Sequence, residues 1–227
     1  TYIMSILAIG IVFLTVQNSR LVGAALVGAI VLSMLALAWI IIRVCQTTVE
    51  RQRMALAAIL VLGSVVFFTL FEQAGSSLNL FASTNVDLSL THAAGRFLGI
   101  PFGTPEQLAA IGVKPANWWS WIDTSVGAAQ TQSFNAGFIL IFAPLLAALW
   151  TWLGRRGKDP NPTLKFGLGL VQVGLGFLIV VWGAGLHDSA FRVPLVLLGL
   201  LYLLHTTGEL FLSPVGLSEI TKLTLPG

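Results

Sequence analysis

Six apolar segments dominate this sequence, at roughly 2–17, 21–42, 54–82, 131–153, 164–184 and 193–216. A helix rises 1.5 Å per residue, so about 20 apolar residues cross the ~30 Å hydrocarbon core of a bilayer. Each segment is near or above that length. Hydrocarbon offers no partner to a backbone N–H or C=O, which leaves the helix as the form such a segment takes. The expected fold class is all-α, a polytopic transmembrane helical bundle. The first segment is the shortest and starts at Thr1 as though in mid-helix. The last runs to Gly227 with nothing after it to close a bundle. The chain is therefore expected to be a fragment of a larger membrane protein.

Composition agrees. Of the 227 residues 9% are charged and 56% hydrophobic, against about 25% and about 45–50% in a soluble domain. So few charges cannot cover a water-facing surface. A disordered chain, a secreted disulfide scaffold and an ordinary cytosolic enzyme are excluded. Cys45 is the single cysteine and makes no internal disulfide. The twelve Lys and Arg give a net charge of +3, but they lie scattered between the apolar runs, so no nucleic-acid partner is expected. The first run has no basic leader and no small-residue cleavage site, and is not a signal peptide.

The basic residues also orient the chain. With the N-terminus cytoplasmic, the inner connections hold Arg43, Arg51, Arg53, Arg155, Arg156, Lys158, Lys165 and Lys222. The outer ones hold Arg20, Arg96, Lys114 and Arg192. Eight against four favours that orientation. Residues 83–130 then form one long extracytoplasmic loop punctuated by Gly, Pro, Asn and Asp. Within it Thr104-Pro-Glu-Gln-Leu-Ala-Ala-Ile predicts one short helix, with Thr104 as N-cap and Pro105 in its first turn. Trp118, Trp119 and Trp121 precede the fourth span and fit an interfacial aromatic belt, with ligand stacking as the alternative.

Polar groups inside the spans carry the functional signal. The first two spans form a hairpin about Gln17-Asn-Ser-Arg20, and Leu21 to Ile42 is uncharged. Such a pair can face lipid on all sides and is expected to be peripheral. In the third span Thr69, Glu72, Gln73 and Ser76 are spaced to share one helical face. A carboxyl at bilayer depth costs about 2.5–3.5 kcal/mol on insertion scales. Glu72 must face a cavity, pair with a cation or carry a proton, unless it is a helix-end carboxylate reaching the headgroups. In the sixth span His205, Glu209 and Ser213 are four apart and stack on one face. Glu209 falls near the midplane, as a functional carboxylate or as interhelical glue for a Lys on a helix missing from this chain. Pro214 frees a carbonyl and predicts a kink. Asn135 opens the fourth span, where interhelical hydrogen bonding is the plain reading. Gly167 with Gly174, and Gly169 with Gly176, repeat every seven residues and read as helix packing. His92 and His187 fall in outer loops and read as surface residues. His205 with Glu209 offers two metal ligands, and nothing else in the sequence completes a set. No Gly-x-Ser-x-Gly, Walker-type or dinucleotide motif is present.

At these residues the sequence resembles the proton-dependent oligopeptide transporter family of the major facilitator superfamily. The strings are Phe71-Glu-Gln-Ala-Gly-Ser-Ser-Leu-Asn79, Gln132-Ser-Phe-Asn135 with Ala143-Pro-Leu-Leu-Ala-Ala-Leu-Trp150, and Gly208-Glu-Leu-Phe-Leu-Ser-Pro-Val-Gly-Leu-Ser218. They resemble that family's seventh, eighth and tenth helices. The resemblance implies that residues 1–45 are the helical hairpin inserted between two six-helix halves. Residues 46–227 are then part of the C-terminal bundle, with four transmembrane helices. Helices one to six and eleven to twelve lie outside this chain. It further implies a symporter of di- and tripeptides in the cell inner membrane, working by alternating access. Its partners are peptide, protons, lipid and the missing N-terminal six-helix bundle, and the proton gradient stands in place of any cofactor. By position Glu72 matches the family's proton-coupling carboxylate. Asn135 matches an amide that helps hold the peptide, and Glu209 the carboxylate that receives its amino terminus. Ser213 lies one turn beyond. Loop 83–130 is longer than the family leads one to expect.

Two rivals stand beside this reading. One keeps the fold and changes the cargo to nitrate or another small organic solute. The other is an intramembrane enzyme using His205 and Glu209.

Overall fold

A computed structural model of the chain describes residues 4–5, 12–13, 17–114, 117 and 119–223, without the side chains of 215–217 and 219–222. The first apolar run, 2–17, and Trp118 of the expected belt therefore lie largely or wholly outside the described residues. The chain divides into two compact units, Thr1–Ile59 with Leu223–Gly227, and Leu60–Lys222.

In the first unit helix α1 runs from Ser19 to Trp39. Asn18 caps it, its Oδ1 accepting from the Leu21 N–H at 3.2 Å. No residue of α1 is buried, which suits a helix surrounded by hydrocarbon. A wide turn, Ile40–Val44, ends it. Helix α2 spans Thr48–Phe71. Its start is a reciprocal cap: the Glu50 N–H donates to Thr47 Oγ1, and Glu50 Oε2 accepts from the Gln46 and Thr47 N–H groups.

The second unit holds the rest of α2 and five further helices. A 3-10 turn, Glu72–Gly75, separates α2 from helix α3, Ser77–Asn85. Helix α4 is Pro105–Ala110, α5 Ser133–Arg155, α6 Pro162–Gly183 and α7 Leu195–Leu223. Among the described residues, five stretches are long and apolar enough to cross a membrane: Ser19–Val44, Thr48–Asn85, Ala128–Arg155, Pro162–Leu186 and Leu195–Pro214. They match the second to sixth predicted spans. The chain is a multi-pass membrane protein segment built on helices.

Three expectations change on contact with the structure. The helix predicted through Glu72 breaks there. Gln73 Nε2 donates to the Thr69 carbonyl, and the Ser76 and Ser77 hydroxyls both donate to Gln73 Oε1. Short polar side chains that bond locally compete with the helical ladder, and Gly75 lets the chain turn. The sixth span, expected to end near 216, is longer: α7 runs through Pro214 to Leu223. Loop 83–130 holds the predicted helix and also short strands. Thr104 caps α4 as expected, in a reciprocal box with Gln107. Strands β2 (Gly95–Phe97), β3 (Ile100–Gly103) and β4 (Ile122–Asp123) make a small sheet, β2 antiparallel and β4 parallel to β3. Strand β1 (Val86–Asp87) pairs in parallel with β5 (Val193–Pro194), Val86 opposite Val193. That pairing ties the C-terminal end of α3 to the start of α7. A buried cluster continues it inward, with Leu78 and Ala82 of α3 against Leu197, Leu198, Leu201 and Tyr202 of α7.

Helices α6 and α7 cross closely. A Cβ on Gly169 would lie 2.7 Å from the Gly208 carbonyl oxygen, and one on Gly208 would lie 2.9 Å from that of Gly169. Gly176 and Gly183 continue the same buried stripe, against His205 and Leu197. The predicted packing role therefore belongs to Gly169 and Gly176. Gly167 and Gly174, with nothing within 4 Å of a Cβ, do not share it here. Across the same seam the Thr207 hydroxyl lies 2.6 Å from Gln172 Oε1. Helix α5 buries no residue, and Leu140 is 78% exposed. An apolar face of that kind requires lipid or further protein against it.

Candidate binding and proton site

The end of α2, the start of α5 and the middle of α7 converge on one cavity of about 180 Å³. Glu72, Gln132, Asn135, Tyr202 and His205 are its polar lining groups, with Phe71, Ala74 and Gly75 beside them. Two of the residues singled out from the sequence, Glu72 and Asn135, are thus brought together from stretches 63 residues apart in the chain. The break at Glu72–Gly75 is what turns that segment's backbone and carboxylate toward the cavity.

Asn135 is fixed by α7. Its Oδ1 position lies 2.8 Å from Thr206 Oγ1, which also lies 2.7 Å from the Tyr202 carbonyl. A hydroxyl has one proton and cannot donate to both. Whichever way the amide is turned, one of its terminal atoms is held by Thr206 and the other stays open to the cavity. Phe134 meets Tyr202 edge-on at 6.2 Å, and Trp150 meets Phe211 at 5.0 Å. Aromatic contacts therefore hold α5 against α7 on both sides of the polar pair.

His205 is 1% exposed. Its ring stacks on Phe71 at 6.1 Å and tilts against Phe177 at 5.0 Å. Gly176 gives it room: a Cβ there would lie 2.8 Å from His205 Cδ2. Neither ring nitrogen has a hydrogen-bond partner, and the nearby Val173 carbonyl lies outside hydrogen-bonding geometry. The Tyr202 hydroxyl and Glu209 Oε2 are likewise buried without a partner. Glu209 sits one turn beyond His205 on α7 and within electrostatic reach of Glu72. It does not line this cavity, and neither does the half-buried Ser213. No Lys pairs with Glu209 among the described residues; the Lys of the glue reading belongs to a helix outside this chain. Nor do three metal-ligating side chains gather among them.

Tyr202, which lines the cavity, and Thr206, which holds Asn135, were not singled out from the sequence, whereas His205 was, on the face of Glu209 and Ser213. A signal existed: 202, 205, 206 and 209 follow the spacing of one helical face. His92 and His187 are exposed in loops, as expected. They line a second, open cavity of about 560 Å³ with Asp87, Asp188, Arg192, Phe134 and Phe138. Trp119 is 66% exposed and Trp121 half-buried.

Comparison with known proteins fits this geometry. A family model described as the POT family matches residues 119–227. Dipeptide and tripeptide permease A of Erwinia pyrifoliae is 36% identical over 173 residues, 76% of this chain and 28% of the permease. Dipeptide and tripeptide permease B of Xenorhabdus bovienii is 29% identical over 216 residues, 95% of this chain and 38% of the permease. A crystal structure of a POT peptide transporter in complex with sulfate superposes with a TM-score of 0.66 at 27% identity. It takes in 98% of this chain and 41% of that one. The chain thus spans well under half the length of each protein it matches.

Proposed function

The chain belongs to the POT family, and on that footing we propose that the whole protein is a symporter carrying di- and tripeptides with protons across the cell inner membrane. Residues 1–45 serve as a peripheral hairpin, and 46–227 as part of the C-terminal bundle. The N-terminus of the chain is cytoplasmic, and a second bundle outside this chain completes the transport path. The protein is a transporter rather than an enzyme.

The observation that carries this reading is the cavity between α2, α5 and α7, where a carboxylate and an amide from distant segments meet beside orphaned buried polar atoms. A peptide is a zwitterion and needs an anionic and a cationic wall. This chain supplies the anionic wall. Glu209 receives the amino terminus, Asn135 holds a backbone amide with its free terminal atom, and Ser213 adds a hydroxyl one turn on. Cations come from the other bundle. Contacts confined to the backbone termini leave the side chains unread.

Proton coupling needs a carboxyl whose proton affinity differs between two states. Burial favours the protonated form and an adjacent cation the ionised one. Glu72, bared by the helix break, is free to be paired in one state and unpaired in the other. The helix break and the close glycine seam suit bundles that rock about a fixed site. In the full-length protein, Glu72→Gln should abolish uphill proton-driven dipeptide uptake in proteoliposomes and leave peptide exchange intact. Normal gradient-driven uptake by that variant would remove Glu72 from the role.

A further inference from the structure

His205 has no part in the reading above, yet it is the most enclosed ionisable group among the described residues. It is 1% exposed, both ring nitrogens lack partners, and it lines the cavity that Glu72 also lines. Burying a hydrogen-bonding group without a partner costs about 1–3 kcal/mol. Here the Tyr202 hydroxyl and Glu209 Oε2 stand unpartnered on the same helix face. Orphaned groups around a polar space are met by water. A cavity of about 180 Å³ has room for several molecules, each taking about 30 Å³ in the liquid.

The surroundings of the ring limit what else it can do. Phe71 and Phe177 cover its faces, and the Gly176 backbone lies beside Cδ2 and Nε2. Val173 on α6 offers only its carbonyl. The titratable groups around it are Glu72, Tyr202 and, one turn along, Glu209. No cation is among them. A ring held in this way is no metal ligand and no surface switch. It is a two-ended proton acceptor and donor that shares a cavity with one carboxylate and lies one helical turn from another.

We infer that His205 relays protons between Glu72, which it meets through water in this cavity, and Glu209, one turn further along α7. The relay rests on the symport reading and deepens it. In one pass the Glu72 carboxylic acid gives its proton through water to one ring nitrogen, leaving a carboxylate. The imidazolium so formed releases the proton on its other nitrogen to the Glu209 carboxylate. The ring ends neutral as the other tautomer, and a rearrangement of the water resets it. One proton leaves one carboxyl and one arrives at the other. The relay explains why this ring has two free nitrogens, and why α6 has a glycine where a side chain would displace it.

The experiment uses the full-length protein in liposomes with a labelled dipeptide. His205→Gln keeps hydrogen-bonding capacity and similar size but cannot pass a proton through. It should lower pH-gradient-driven uptake by at least about tenfold, the scale on which a positioned acid or base acts. Peptide counterflow, which needs no net proton movement, should stay close to the wild-type rate. Gly176→Ala, which presses on the ring from α6, should show the same split without altering His205 itself. Wild-type gradient-driven uptake in both variants would overturn the relay. Equal loss of uptake and counterflow in both would also overturn it, making the ring a packing group. If the wild-type protein shows no gradient-driven uptake at all, the symport reading has failed, and the relay with it. The wild-type lane thus separates the two failures.

Discussion

The crossing of α6 and α7 allows a test by double substitution. Ordinary contact begins near 3.4 Å, so an alanine Cβ at Gly169, 2.7 Å from the Gly208 carbonyl oxygen, is about 0.7 Å too close. At Gly208 the Cβ is 2.9 Å from the Gly169 oxygen, about 0.5 Å short of the same limit. Both obstacles are backbone atoms, which no side-chain rotation relieves. The helices must separate. A gap of 0.5–1 Å forfeits a quarter to a half of each dispersion contact along the seam. Overpacking of this kind costs about 1–3 kcal/mol, against up to about 1 kcal/mol gained from replacing glycine in a helix.

The decisive quantity is the coupling. Once Gly169→Ala has moved the helices apart, Gly208→Ala finds the space already made. The double variant should therefore lose about 1 kcal/mol less than the sum of the singles, whereas independent sites add within about 0.5 kcal/mol. Thermal or denaturant unfolding of the purified full-length protein, read by intrinsic fluorescence, supplies all four values. Helices elsewhere in the protein cancel from the cycle. Strict additivity would mean that the two glycines do not face each other, and the α6–α7 seam described above would be wrong.

Two further outcomes are expected. Glu209→Gln should weaken binding of free dipeptides about tenfold or more while leaving N-acetylated ones nearly unchanged, because a charge-assisted hydrogen bond is about twice as strong as a neutral one; equal losses by calorimetry would contradict an amino-terminus role. In the loop before α7, hydrogen bonding from the Arg192 backbone N–H holds the Asp188 carboxyl below the usual aspartate range, helped by the Ala190 N–H and the Arg192 guanidinium. A lowered folded-state value stabilises above the unfolded value and is lost as pH falls through the folded one, so protection of the 188–192 amides, taken against their intrinsic exchange rate at each pH, should fall in acid. Asp188→Asn should show that lowered protection at neutral pH and little further change on acidification.

The carboxylates and the spans were legible because their signals are local. Apolar runs of bilayer length announce themselves by count, and Glu72 and Glu209 stand out because charge inside such runs is costly. The α4 cap at Thr104 was equally plain, since a capping box needs only three consecutive offsets. The small strands of 83–130 were not, because β1 and β5 are two residues each and pair across about a hundred positions. No periodicity marks a strand so short.

Chain chemistry alone determined that this is a membrane-spanning helical protein with acidic groups inside its spans, because length and hydropathy are summed along the backbone and need no partner. Tertiary structure alone decided which glycines form a seam, which hydroxyl holds Asn135, and that His205 is enclosed between two phenylalanine rings beside a cavity. Those facts depend on how each helix is rotated about its axis. That rotation is set by many weak contacts with neighbours distant in sequence.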